Sequence, residues 1–251
     1  MRQISLQTGT APTIVSSAGL TFEDHDQCLA LSDVFRGKLC DQLVRGLPKL
    51  RVSADRPIYS LGQPSRELYF LSTGLVKSSV VSDSGRELIL QVHKPGDIFG
   101  NFCFCESGQL DQAVALEDSE VVEIQLEQFI SHLQKNRQAM VGFLSTIGDR
   151  LSESYQQLSI LSFDKRMERL VLILLKLADE LGVPSAEGIQ LSHHFQQEEL
   201  AEMIAGRREV VSSLLNQLRK MGLICYSRRQ RITINRQGLQ DYLRSIRVKG
   251  E

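Results

Sequence analysis

The residues with the most specific chemical reach lie near the C-terminus. Arg207, Arg208 and Glu209 follow the small pair Ala205-Gly206, and Ser212 and Ser213 come one helical turn later. An arginine can donate two hydrogen bonds side by side to guanine O6 and N7, and a glutamate can accept from cytosine N4. Gln196 and Gln197 lie just upstream, and Arg228 and Arg229 further on, where short polar and basic side chains suit phosphate. The set predicts contacts to duplex DNA. A second chemistry-bearing pair, Cys103 and Cys105 in the run Cys-Phe-Cys, reads either as two small apolar residues flanking Phe104 or as redox-sensing thiols. As a metal site this pair alone is too small. His25, His93, His132, His193 and His194 are scattered, with only His93 in the strand-rich region, and the nucleophile-elbow, P-loop and C-x-x-C motifs are absent. No enzyme activity, metal or cofactor is expected. His193 and His194 are expected near phosphate or water.

The DNA-reading residues need a framework. Gln196–Ile204 predicts a short helix with Leu200, Met203 and Ile204 inward, and Ala205-Gly206 a tight turn. Arg208 to about Met221 predicts a second helix, in which Val211, Leu214, Leu215 and Leu218 form a buried stripe behind the polar face. Leu223–Tyr226, the turn 227–230 and Arg231–Ile234 predict a hairpin wing with a basic tip. Charge agrees with this order. Residues 205–251 hold eleven Lys/Arg against three Asp/Glu, whereas the first 204 hold 18 against 27. A basic end on an acidic body is the footprint of a nucleic-acid module carried by a second domain.

The rest of the chain must supply that second domain. At 251 residues, 42 % hydrophobic and 24 % charged, it can bury a core and divide into two domains. No apolar run approaches the ~20 residues of a bilayer span, so no membrane partner is expected, and no secretory signal is legible. Five cysteines, an odd number, favour free thiols and a reducing cytoplasm. Residues 1–26 read as a flexible arm, and 29–45 as a short helix. From Arg51 to Gln125, short apolar runs (Leu68–Leu71, Val76–Val81, Leu88–Val92, Val121–Ile124) alternate with Gly, Pro and Asp turns. That texture predicts an antiparallel β jelly-roll barrel within a domain over 27–135. Met140, Leu144, Ile147, Leu151, Ser154, Leu158 and Leu161 are spaced four and three apart in turn, a heptad seam that predicts a dimerisation helix over 136–162. Ser154 is a polar interruption that could set register or touch a ligand. Asp164 is a candidate N-cap for a helix from about Lys165 to Leu181 that stops at Gly182-Val183-Pro184, and Ile189–Leu191 suggests a short strand. The DNA-binding domain is taken as 163–251. The fold class is α+β.

This order of parts resembles the cyclic-AMP receptor protein/FNR family of bacterial transcription factors, over about residues 29 to 246. The resemblance rests on Gly62, Leu68-Tyr69 and Gly74, on Gly85 in a hairpin turn, and on Pro95-Gly96-Asp97-Ile98-Phe99-Gly100. It continues through the seam helix, Phe163-Asp164 and Arg207–Val211. It implies a homodimer that binds an inverted DNA repeat, senses a small effector in the barrel, and contacts RNA polymerase if it activates. By the same resemblance the effector pocket falls on Gly100, Asn101, Gln109, Leu110, Arg150 and Ser154.

The departures from the family are informative. Cyclic-AMP-binding members carry Gly-Glu where this chain has Gly100-Asn101. Their phosphate-binding Arg-Ser falls here on Gln109-Leu110 or, in a shifted register, on Asp111-Gln112-Ala113, and no Arg lies between residues 87 and 136. Only Cys28 lies upstream of the first helix, so an iron–sulfur ligand set is lacking, and His93 has no Cys two residues before it for haem. The effector is therefore expected to be a small molecule other than cyclic AMP, or a redox signal. The alternative is a ligand-independent regulator with a vestigial pocket. In the recognition helix the family's second Arg is replaced by Ser213.

Overall fold

The computed structural model describes residues 43–64, 66–102, 108–226 and 231–248. The expected arm at 1–26, nearly all of the expected helix at 29–45, Cys103, Cys105, Arg228 and Arg229 lie outside the described residues.

Eight strands form two antiparallel sheets. One is ordered β1 (Lys49–Val52), β8 (Ser119–Gln125), β3 (Glu67–Thr73), β6 (Ile98–Phe99); the other β2 (Pro57–Tyr59), β7 (Gln112–Ala115), β4 (Val76–Val81), β5 (Glu87–His93). Successive side chains of a strand point to opposite faces, and β3 shows why its run is apolar throughout. Tyr69 and Leu71 join Tyr59, Val76, Phe99 and Val121 in one buried cluster. Leu68 and Phe70 join Val122, Ile124, Phe129 and Leu133 in another, so the second face is covered by helix α1 (Leu126–Lys135). The β3–β4 turn requires glycine. Gly74 has φ +93°, and a Cβ there would lie 2.7 Å from the Ser119 Cα.

Helix α2 (Arg137–Phe163) is 27 residues long, about 40 Å at ~1.5 Å per residue. The Asn136 side chain caps it by accepting from the Ala139 N–H at 3.1 Å. Ala139, Gly142 and Thr146 bury one face. Asp164 is not the N-cap of the next helix. It ends α2, its N–H donating to the Ile160 carbonyl, and Lys165 occupies the N-cap of α3 (Arg166–Leu181). The Asp164 carboxylate instead accepts from Arg247 at 3.1 Å, a long-range partner that no local pattern could reveal.

Helix α3 ends where the Gly-Val-Pro stop lies, but that stop is itself strand β9 (Gly182–Ser185), paired with β10 (Gly188–Leu191). Proline is tolerated there because β9 is the edge of its sheet. Helices α4 (Gln197–Met203) and α5 (Arg208–Lys220), strands β11 (Ile224–Cys225) and β12 (Thr233–Ile234), and helix α6 (Arg236–Val248) complete the C-terminal domain. Its core comprises Leu170, Leu174, Leu200, Ile204, Val211, Leu215 and Leu218, with Leu75 from the β3–β4 turn and Ile89 from β5 in the same cluster.

Candidate DNA-reading face and effector cavity

The α4–α5 pair is fixed before any ligand arrives. Gln196 and Glu199 form a reciprocal capping box at the start of α4. Ala205 turns the chain with φ +51°, and the Gly206 N–H donates to the Ala201 carbonyl at 2.8 Å. Val211, Leu215 and Leu218 are buried and Leu214 is half-buried, which leaves Arg207, Arg208, Glu209 and Ser213 exposed and Ser212 half-exposed. Arg208, Ser212, Asn216 and Arg219 border an 850 Å³ concavity that Gln196, Gln197 and His194 also line. Arg219 is held in place there: its guanidinium donates to Asn216 Oδ1 at 3.0 Å and lies 5.2 Å from the centre of the Tyr226 ring. Glu209 and Ser213 point from α5 outside this concavity. The surface offers arginine donors at the N-terminal end of an exposed helix, as major-groove reading requires.

The two histidines part company. His194 is exposed on the concavity. His193 does not line that concavity. It is buried, with Nδ1 2.7 Å from Glu117 Oε1 of the N-terminal domain, so it joins the two domains. His93 is buried as well, stacked 4.8 Å from Phe99 with Nε2 3.1 Å from Ser78 Oγ.

A 390 Å³ cavity lies between the β4–β5–β7 sheet and α2, lined by Ser78, Leu88, Asp111, Arg150, Ser154 and Leu158 among others. Of the six pocket positions implied by resemblance, Arg150 and Ser154 line it. Gly100, Asn101, Gln109 and Leu110 do not. Asn101 donates to the Gly108 carbonyl, Gln109 is buried in backbone pairing with Gly62 and Gln63, and Leu110 is 63 % exposed. The shifted register supplies the lining residue, Asp111. Its carboxylate accepts from the Tyr59 hydroxyl at 2.9 Å. Burial holds its pKa above the usual carboxylate range despite that bond, one from Ser78, and the Arg150 charge. Arg150 donates to the Ile98 carbonyl and sits 5.5 Å from the Phe102 ring centre. The cavity thus presents one guanidinium engaged with its own domain, two carboxylates (Asp111 and Glu153) and an apolar wall.

The seam residues Met140, Leu144, Leu151 and Leu158 are 39 %, 62 %, 51 % and 64 % exposed, and Ile147 and Leu161 are half-buried. Among the described residues no group of three or more metal-ligating side chains occurs, and no helix is long and apolar enough to cross a membrane.

A ligand-sized cavity in an antiparallel two-sheet domain, joined by a long helix to a winged helix-turn-helix, defines a DNA-binding transcription regulator with an effector-binding domain. Comparison with known proteins places it more closely. Residues 49–136 match the cyclic nucleotide-binding domain family and residues 168–242 the Crp-like helix-turn-helix domain, together about two thirds of the chain. The global nitrogen regulator of Nostoc sp. is 28 % identical over 82 % of this chain and 93 % of its own length. The cyclic AMP receptor protein of Thermus thermophilus is 28 % identical over 67 % and 76 %. The solved structure of FixK2 from Bradyrhizobium japonicum superposes with a TM-score of 0.66 at 25 % identity, covering 78 % of this chain and 96 % of that one. The chain belongs to the CRP/FNR family of transcription regulators.

Proposed function

We propose that the protein is a homodimeric, sequence-specific regulator that binds an inverted DNA repeat, under control of a small effector other than cyclic AMP. The observation that carries this reading is the pairing of two exposed surfaces. The polar row of α5 is backed by a buried stripe, and the apolar seam of α2 stands open to solvent over four residues. A parallel pairing of two α2 helices would cover the seam and set two α5 helices on one face of a duplex, about one helical turn apart. RNA polymerase is a further partner if the protein activates.

The cavity chemistry supports an effector without a phosphate. Its one lining arginine already donates to a backbone carbonyl, and two carboxylates share the wall. A cyclic phosphate there would meet like charge without a dedicated partner. Fluorescence anisotropy with a duplex recovered by selection tests the DNA reading. Affinity should fall steeply between 50 and 200 mM salt, by about a thousandfold if some six phosphates are contacted. Affinity independent of salt, or no binding, would refute it.

A further inference from the structure

We propose that Lys77, on strand β4 of the effector domain, is a positioning residue for the DNA-reading unit, gripping helix α4 through Glu202. The proposal rests on the reading of the protein as an effector-controlled DNA-binding regulator. Lys77 Nζ lies 2.9 Å from Glu202 Oε2 on α4 and 3.0 Å from Glu87 Oε1 on β5. All three side chains are largely out of water, at 12 %, 15 % and 21 % exposure. Burial alone would lower the pKa of the ammonium. The bonds and charges of Glu202 and Glu87 outweigh it and hold the Lys77 pKa above its ordinary value. Buried charges of this kind add little net stability but enforce one arrangement, because either partner left alone is strongly disfavoured. Apolar contact alone, here Leu75 and Ile89 against the Leu200–Met203 cluster, does not single out one orientation so sharply.

The grip also sits one residue away from the effector cavity on three neighbouring strands. On β4, Ser78 lines the cavity and Ser79 donates to Glu87 at 2.6 Å. On β5, Leu88 lines the cavity and Glu87 belongs to the grip. Beside and within β7, Asp111 lines the cavity and Gln112 donates to Ser79 at 3.2 Å. A ligand that shifts these strands therefore moves Lys77 and Glu87 against α4. In the docked arrangement Arg208 and Glu209 stay exposed, so the grip presents the reading helix rather than masking it. Holding two such helices in place removes an ordering cost that DNA would otherwise have to meet.

The test is a charge exchange in the full-length protein: Lys77→Glu, Glu202→Lys, and the two together with Glu87→Gln, which restores one lysine–glutamate pair between β4 and α4 without setting the new carboxylate at position 77 against Glu87. Glu202→Gln, a neutral and near-isosteric change, serves if a charge reversal fails to fold, and thermal melting and sedimentation monitor fold and oligomeric state. Two readouts are taken: affinity for a selected duplex, and the rate of tryptic cleavage at Lys165 and Arg166, where α2 passes into α3. Each single reversal should weaken DNA binding tenfold or more and speed cleavage, Glu202→Gln should do both to a smaller extent, and the exchange should bring both within threefold of wild type. Unchanged or tighter binding in the single variants, or losses that simply add in the exchange, would overturn the proposal. If the wild type binds no duplex at all, the regulator reading falls by itself, and the cleavage rates still decide whether the grip exists.

Discussion

Leu151 lies near the middle of the α2 seam, and its replacement by glutamate is the sharpest perturbation of the proposed dimer. The residue is 51 % exposed in the single chain, so pairing could remove roughly half of a leucine side chain from water. Full burial of such a side chain contributes about 1.5–3 kcal/mol, so Leu151 contributes about 1 kcal/mol per protomer. Two-fold symmetry doubles every change and sets the two positions near each other. Leu151→Glu therefore loses about 2 kcal/mol of apolar burial per dimer and adds at least a similar amount for two carboxylates forced toward an apolar seam. A total of about 4–5 kcal/mol corresponds to a dissociation constant raised roughly a thousandfold or more. Glutamate is a good helix former, so α2 itself should persist. Sedimentation velocity should show the wild type dimeric and the variant monomeric at micromolar concentration, with unchanged circular dichroism. A variant still dimeric at that concentration would refute the assignment of the seam to the interface.

Arg208→Ala should cost ~1–3 kcal/mol in DNA affinity and relax the preference at one base pair of each half-site, read by selection on random duplexes. Cyclic AMP should give no calorimetric binding at micromolar affinity, because Asp111 lines the cavity where a phosphate site would need a cation; micromolar binding would contradict the cavity reading. Asp111→Asn should raise the melting temperature at pH 7. The folded-state pKa of Asp111 is raised, so its ionised form opposes folding above that pKa, and the advantage of asparagine should close as pH falls toward the unfolded carboxylate range of about 4. Cys103→Ser and Cys105→Ser should leave DNA binding unchanged under reducing conditions. If Cys105→Ser abolishes a response to peroxide that the wild type shows, the pair is a redox sensor and not a pair of small apolar residues.

Local signals were legible wherever periodicity and turn chemistry act within a few residues. The stripe Val211, Leu215, Leu218 and the Ala205-Gly206 turn determine α4 and α5 to within a residue or two, and the Leu68–Leu71 run reads as the strand it is. Contacts that join distant segments left no mark in the sequence. By sequence His193 is expected near phosphate or water beside a DNA-binding helix, yet its partner Glu117 lies 76 positions away. Lys77 and Glu202, 125 positions apart, carry no spacing signal at all. Asp164 shows the same limit: an aspartate before a helix is a good N-cap by type, and only the placement of α6 reveals its Arg247 partner. For the cavity, family spacing located Arg150 and Ser154 on the helix, where register is rigid. It placed Gln109 and Leu110 on the β7 side, where the two-residue shift that brings in Asp111 depends on how Gln109 pairs with Gly62 and Gln63.

Selection on a pool of random duplexes tests the central claim most directly. The account predicts recovery of an inverted repeat whose half-sites sit about one helical turn apart, each holding a fixed G·C pair read by Arg208 and Glu209. It also predicts a degenerate pair facing Ser213, which is too short to reach guanine with two bonds. Recovery of isolated half-sites, of no sequence at all, or of a strongly fixed pair facing Ser213 would contradict it.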